Sequence, residues 1–371
     1  MHLQPHALDQ WLQRHAEPPV EFDLGASTGP HWSLRELLRL GAPDAAERLL
    51  DTKLSYSRTA GGTHLRAAIA KMQGVAMEDV LVMSGAAEAL WHVFLVTAEP
   101  GANAVVPSPC FPPHRTMPEA LGFEVRSYEL RREDGYRHDL DAVKRLVDAR
   151  TKILLVNLPN NPSGAAISDA EMRDLHDFCA ERGVQFVSDE VHHPIYHGPE
   201  TASAARLTHA TTIGDLSKAF SLPGLRLGWI IDRDAERREQ YLNAREYVTI
   251  SNTPISELMG WMAVESRERI LARTRDVAQS NLRLLDEVMG RHGNVLRWVR
   301  PQGGMTGFPW LVGEADARPF CEAAVEKGLL LAPGDCFGFP EHFRIGFGVS
   351  KAWFPRAMER FDALLRTWPQ K

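Results

Sequence analysis

The 371-residue chain has no basic excess. Its 42 lysines and arginines stand against 48 aspartates and glutamates, for a formal net charge of −6. Such a balance offers nothing to a phosphate backbone, so nucleic acid is excluded as the main partner. Cysteine is scarce as well. Cys110, Cys179, Cys321 and Cys336 form no C-x-x-C pair, which argues against a disulfide framework or a thiolate zinc site and fits a reducing compartment. No run approaches the ~18 apolar residues of a membrane span. The opening MHLQPHALDQWLQRH lacks the cationic start and apolar stretch of an export signal, so a cytoplasmic location away from any membrane is the expectation. Tandem repeats, low-complexity tracts and Gly/Ser linkers are missing too; lobes of this chain should pack as one unit. What the sequence does hold is 44% apolar and 24% charged residues, ample for a large core and incompatible with wholesale disorder.

The middle of the chain alternates short β-rich runs with helical patterns. Strands are expected at Asp79 to Met83, Asn103 to Val106, Lys152 to Val156, Val184 to Val187, Thr211 to Ile213 and Leu227 to Ile231. Lys152-Ile153-Leu154-Leu155-Val156 carries few polar positions, as a parallel strand covered on both faces should. Helices are expected from Ala87 to Val96 and after Ser168. There Ser168 and Glu171 make a capping box, Met172, Leu175 and Cys179 share a face, and Gly183 sits where a C-cap belongs. This alternation predicts an α/β fold with a mainly parallel central sheet sandwiched by helices. Beyond Asp232 charged helical sequence runs to about residue 291, and the arginines of Arg233 to Arg238 read as a solvated helix face. Short strands at Val295 to Val299, Gly328 to Ala332 and His342 to Phe347 and a last helix from Pro355 then predict a smaller α+β lobe. The expected division is a large domain over 46–265 and a small domain over 266–371, which the segment 1–45 joins.

Ligands of open α/β sheets gather at the carboxyl ends of the strands, and five loops there carry suggestive chemistry. Ser84-Gly85-Ala86-Ala87-Glu88 offers small residues at a helix start, where free N–H groups favour an anion, although tight packing alone also uses Gly and Ala. Asn157-Leu158-Pro159-Asn160-Asn161-Pro162-Ser163-Gly164 is a proline-stiffened turn able to hold an amide over a pocket. Ser188-Asp189-Glu190-Val191-His192 puts a carboxylate at a strand end, either as a cap or as a functional anion. In Asp215-Leu216-Ser217-Lys218, followed by Arg226, a lysine enclosed in a site would become a nucleophilic amine. Finally, Arg344 in His342 to Phe347 either pairs with a structural carboxylate or grips that of a ligand. His192, His193 and His197 could be imagined as metal ligands, but Pro194 breaks the helix such spacing needs, and no metal is expected.

In this order and spacing the loops resemble the fold-type I pyridoxal-phosphate enzymes of the class I/II aminotransferase family. The resemblance runs from about Leu24 to Phe347 and rests on NLPNNPSG, SDEV and SKAFSLPGLRLGW, the last close to the pattern S-K-x-x-x-x-P-G-x-R-x-G-[WY]. It implies pyridoxal 5′-phosphate as cofactor and transfer of an amino group between an L-amino acid and a 2-keto acid. Lys218 would form the imine with the cofactor aldehyde and then shuttle a proton. Asp189 would keep the pyridine nitrogen protonated. Asn161 would donate to the ring O3′ beside the substrate, and Phe111 would stack on the ring. Gly85, Ala86, Ala87, Ser217 and Arg226 would hold the phosphate, and Arg344 the substrate carboxylate. Tyr56 resembles a tyrosine that reaches the phosphate of a neighbouring subunit, which implies a homodimer with shared sites; Ser251-Asn252 points the same way.

Three departures bear on the reaction. His192 stands where the family usually has an O3′-binding tyrosine, and DEVH also resembles the DEIH of carbon–sulfur lyases that carry out β-elimination. Asp215 stands where a hydroxyl residue usually meets the phosphate; a carboxylate there would repel the dianion unless turned away or neutralised. Leu24-Gly25-Ala26-Ser27-Thr28-Gly29, with Ser27 near the substrate and Trp32 close by, replaces the usual LGxGxP. With NLPNNPSG, GLPGLRLGW and PQGGMTGFP it resembles the capreomycidine synthases, which cyclise arginine. An eliminating lyase or a cyclase is therefore the alternative.

Overall fold

The computed structural model describes residues 3–369. At its centre lies a seven-stranded sheet of β1 (Val80–Met83), β2 (Asn103–Ser108), β3 (Glu124–Glu129), β4 (Thr151–Asn157), β5 (Gln185–Asp189), β6 (Ala210–Asp215) and β7 (Gly228–Ile231), in the spatial order β1-β7-β6-β5-β4-β2-β3. β7 runs antiparallel to both its neighbours and every other pair is parallel, so six strands end at one edge. The apolar runs are continuous because both faces are covered. Leu81, Ala104 and Ile153 join one apolar cluster, while Val80, Val105 and Leu154, one position away, join the other.

Seven helices matter for the site and its supports: α1 (Ala7–Arg14), α2 (Ala86–Thr97), α3 (Asp169–Glu181), α4 (Ala235–Glu246), α5 (Pro254–Glu265), α6 (Arg267–Arg291) and α7 (Phe354–Thr367). α3 begins as its sequence predicts. The Glu171 N–H donates to Ser168 Oγ at 3.2 Å and the Ser168 N–H to Glu171 Oε2 at 2.7 Å. Met172, Leu175 and Cys179 are buried, and Gly183 past the helix end has φ +66°. α2 buries Ala89, Leu90, Val93 and Phe94. Its first turn presses on β7, since a Cβ at Gly228 would stand 2.7 Å from the Ala86 nitrogen. None of the helices among the described residues is long and apolar enough to cross a membrane.

The C-terminal part matches the expected α+β character, with shorter strands. Phe343–Gly346 is the centre of a three-stranded antiparallel sheet with Thr306–Gly307 and Ala332–Pro333. The N-terminal segment is tied to it by Phe22–Asp23, which pairs in parallel with Leu329–Leu330, and by Trp11 Nε1 donating to the Leu331 carbonyl at 2.7 Å. One apolar cluster runs from Leu8 through the sheet to Leu365, so the lobes share a core.

The arginines after Asp232 differ from the expected solvated face. Asp232 is fully buried at the end of β7, and Arg237 meets it with two bonds, Nε at 2.9 Å and Nη2 at 2.8 Å. Thr211 Oγ1 adds a third at 2.7 Å. Arg238 donates to the Asp232 carbonyl and pairs with Asp79. A buried carboxylate needs such donors, and the charge run supplies them. Arg237→Ala is expected to lower the unfolding free energy by about 2 kcal/mol, because it strands the Asp232 charge; urea titration of the two proteins measures the difference.

Candidate active site

The parallel strand ends and their loops enclose a cavity of about 220 Å³. Lys218, Asp189, Asn161, Phe111, His192, Ala86, Ala87, Ser217, Arg226, Ser27 and Arg344 all line it, and Gly85 immediately precedes Ala86. Tyr56 is not among them: it is 82% exposed on the surface.

Each side chain is held by its neighbours. Asp189 is buried at the end of β5, where Oδ2 accepts from His114 Nε2 at 2.7 Å and Oδ1 from the Val191 N–H at 3.2 Å. The strand ends are stitched together beneath it. Asn157 Nδ2 donates to the Asp189 carbonyl at 3.1 Å, while Asn157 Oδ1 accepts the Asn161 N–H at 2.8 Å. Arg344 Nη1 donates to Asn161 Oδ1 at 3.1 Å and Nη2 to the Gly25 carbonyl at 2.5 Å. With its oxygen taken, Asn161 keeps its amide N–H groups for a ligand. The Arg344 Nε is buried without a protein partner. Burial brings its pKa down to about 10, which leaves the guanidinium charged at neutral pH.

Lys218 donates from Nζ to Ser27 Oγ at 3.0 Å. Burial, helped by Arg344 and Arg226, lowers its pKa, and Asp215 opposes the shift. His192 is buried with both ring nitrogens unpartnered. Burial first, then Lys218 and Arg344, pushes its pKa down to about 3, so it is a neutral imidazole with one donor and one acceptor.

The far end of the cavity is an anion cradle. Gly85 has φ +88°, and the helix it opens has no side-chain cap. A Cβ on Gly85 would lie 2.6 Å from Arg226 Nη2, so only glycine lets this guanidinium sit over the turn. Arg226 itself takes a left-handed conformation, φ +49°, to reach it. Ser217 Oγ is buried and has no partner.

Sequence reasoning missed four contributors. Leu8, Asp9 and Leu12 of α1 wall the cavity, and nothing in a short amphipathic helix announces a contact with loops two hundred residues away. His114 was available as a signal, three residues beyond Phe111, but its bond to Asp189 depends on how the β2 and β5 ends sit together. Trp32 does not line the cavity; Arg273 lies over its ring at 4.1 Å. Nor do the three histidines converge: His197 Nε2 meets the Gly304 carbonyl at 2.8 Å and His193 Nδ1 the Tyr196 hydroxyl at 3.4 Å.

A buried lysine amine, a buried carboxylate and an uncapped helix start beside an arginine thus line one cavity. The family model "Aminotransferase class I and II" matches residues 39–361, and the chain belongs to that family, whose members depend on pyridoxal 5′-phosphate. It is 28% identical to capreomycidine synthase of Streptomyces vinaceus over 97% of this chain and 93% of that protein. It is also 28% identical to the aspartate/prephenate aminotransferase of Thermus thermophilus over 87% and 86%. A solved pyridoxal-phosphate-dependent aminotransferase from Streptococcus suis superposes with a TM-score of 0.94 at 26% identity, covering all of both chains.

The residues present fit the cofactor. The unpartnered Ser217 hydroxyl, the uncapped turn of α2 and the glycine beneath Arg226 suit a phosphate, and the Asp189 carboxylate suits a cationic ring nitrogen. His114→Phe is expected to destabilise the protein by about 1–3 kcal/mol, since it leaves a buried carboxylate oxygen without its donor. Thermal unfolding without added cofactor reads that loss.

Proposed function

We propose that the chain is an aminotransferase that moves an amino group between an L-amino acid and a 2-keto acid, with Lys218 and Asp189 as catalytic residues. The observation that carries this reading is the Lys218 amine, lowered in pKa, facing the same cavity as the Asp189 carboxylate and the Arg344 guanidinium. When bound, pyridoxal phosphate supplies the aldehyde that takes up the amino group and a ring that accepts the electron pair left at the substrate Cα.

The chain's own residues do the rest. Asp189, fixed by His114 and the Val191 N–H, holds a proton on the ring nitrogen. Phe111 would cover the ring, and Asn161 and the neutral His192 would serve its O3′. Arg226, Ser217 and the N–H groups of Gly85, Ala86 and Ala87 take the phosphate. Arg344 binds the substrate α-carboxylate and so orients the Cα–H toward Lys218. Lys218 Nζ, whose pKa is lowered by burial, would serve as the base. It would move a proton between the substrate Cα and the cofactor carbon that carries the amino group, and Ser27 Oγ accepts a hydrogen bond from it at 3.0 Å.

A second reading keeps every one of these roles and changes the outcome to cyclisation or elimination. The similarity to capreomycidine synthase favours it, as does the Ser27 loop against Lys218. Dependence on an acceptor separates the two, because a transaminase stalls without a keto acid whereas a lyase or a cyclase turns over without one.

We also propose a homodimer in the cytoplasm. Leu50, Leu54, Tyr56, Tyr247, Val248 and Ile250 are exposed on segments that adjoin one another, since Arg245 donates to the Thr59 carbonyl and Ser57 to Glu257. A second copy over this patch brings Tyr56 to its phosphate site.

Lys218→Ala is expected to abolish both the visible absorption of the bound cofactor and its trapping by borohydride; a variant retaining both refutes the assignment. Arg344→Gln should raise KM for the amino acid about 100-fold, the worth of a charge-assisted pair, in steady-state assays.

A further inference from the structure

Asp215 ends β6, three residues before Lys218, and is buried. Its Oδ1 accepts the Ser217 N–H at 2.9 Å, and among the described residues no protein donor reaches Oδ2. The side chain lines the catalytic cavity together with Ser217, Arg226, Ala86 and Ala87. It therefore stands at the anion cradle as an acid. Behind it, a second cavity of about 430 Å³ also reaches Asp215.

The charges around it do not make a home for a carboxylate facing a phosphate. Lys218 is the one cation that favours ionisation of Asp215 appreciably, and its amine is the group the cofactor consumes. Asp189 opposes ionisation from the next strand. The second cavity carries both signs, with Glu190 set against Arg206, Arg275 and a His193 whose pKa is lowered by burial. Burial itself raises the Asp215 pKa, more than Lys218 and Ser217 lower it. A phosphate dianion in the cradle would add one more like charge.

We propose that Asp215 holds the cofactor as a neutral carboxylic acid, donating its O–H to a phosphate oxygen, so that the chain takes up one proton from solvent with the cofactor. This rests on the cofactor reading above. Asp215 is then a cofactor ligand whose donor exists only while it is protonated. The sign follows directly. Below the pKa of the carboxyl in the cofactor-free protein, affinity does not depend on this group. Between that pKa and the higher one in the complex each binding event takes up a proton and affinity falls by up to about tenfold per pH unit; above the latter, carboxylate and dianion repel and affinity levels off at its lower value.

The test measures dissociation constants of the cofactor-free protein for pyridoxal 5′-phosphate and for pyridoxal, which lacks the phosphate, from about pH 6 to pH 9. Wild type, Asp215→Asn and Asp215→Ser are compared, and ³¹P NMR follows the bound phosphate. The wild type is expected to lose its preference for the phosphorylated compound as pH rises, with a titrating ³¹P shift. Both variants, which are neutral donors, should keep the preference, bind at least about tenfold tighter than wild type at the alkaline end, and show a flat ³¹P shift. Parallel curves for all three proteins, or weaker binding by both variants at every pH, overturn the proposal while leaving the cofactor reading intact. A wild type that binds no pyridoxal phosphate at any pH overturns both. Asp215→Ser guards against a folding defect peculiar to the amide.

Discussion

The Arg344 guanidinium donates to the Gly25 carbonyl and to the Asn161 side-chain oxygen, and those two bonds bring three distant stretches of chain to one point. Arg344 lies on a strand of the small lobe, Gly25 on the N-terminal segment, and Asn161 on the loop after β4. A buried cation has to be met by oxygens, and here they come from two different walls of the cavity. One consequence is chemical. The Asn161 amide is turned so that its donors remain free, and the Gly25 loop is drawn in far enough for Ser27 to meet Lys218. Holding the arginine and shaping the site are the same act.

The sheet imposes a second constraint. With both faces of the parallel strands covered, polar side chains have room only where the strands stop. Asp189, Asp215 and the Asn157 to Gly164 loop are strand ends, which is why reading loops after apolar runs located most of the cavity. The runs centred on Lys152 to Val156 and Val184 to Val187 were legible because double burial leaves few polar positions. β3 was not. Its sequence Glu124-Val125-Arg126-Ser127-Tyr128-Glu129 forms an edge with much of its surface in solvent, and an edge strand need not look apolar. The helix Pro254–Glu265 likewise hid within a longer stretch read as charged helix.

Where sequence reading fell short, tertiary contacts decided. The strands of the small lobe shrank to two to four residues, because short pairings there serve to position Arg344 rather than to build a sheet. Arg237 and Arg238 look like surface charge in one dimension, and only the placement of Asp232 beneath them makes them structural. His114 acquires its partner through the adjacency of two strand ends. The three departures from the family pattern were visible at once. Their meaning was not, since it depends on burial: His192 is an unpartnered neutral ring, and Asp215 is a buried acid that accepts the Ser217 N–H.

The helix that walls the cavity is bonded to the small lobe. Trp11 is bonded to Leu331, and Phe22–Asp23 to Leu329–Leu330, so α1 is anchored to the small lobe, while the floor belongs to the seven-stranded sheet. The wall that α1 contributes is thus set by the packing of the lobe, so a substitution at Trp11 or Phe22, far from the strand ends, would reach the cavity through that wall.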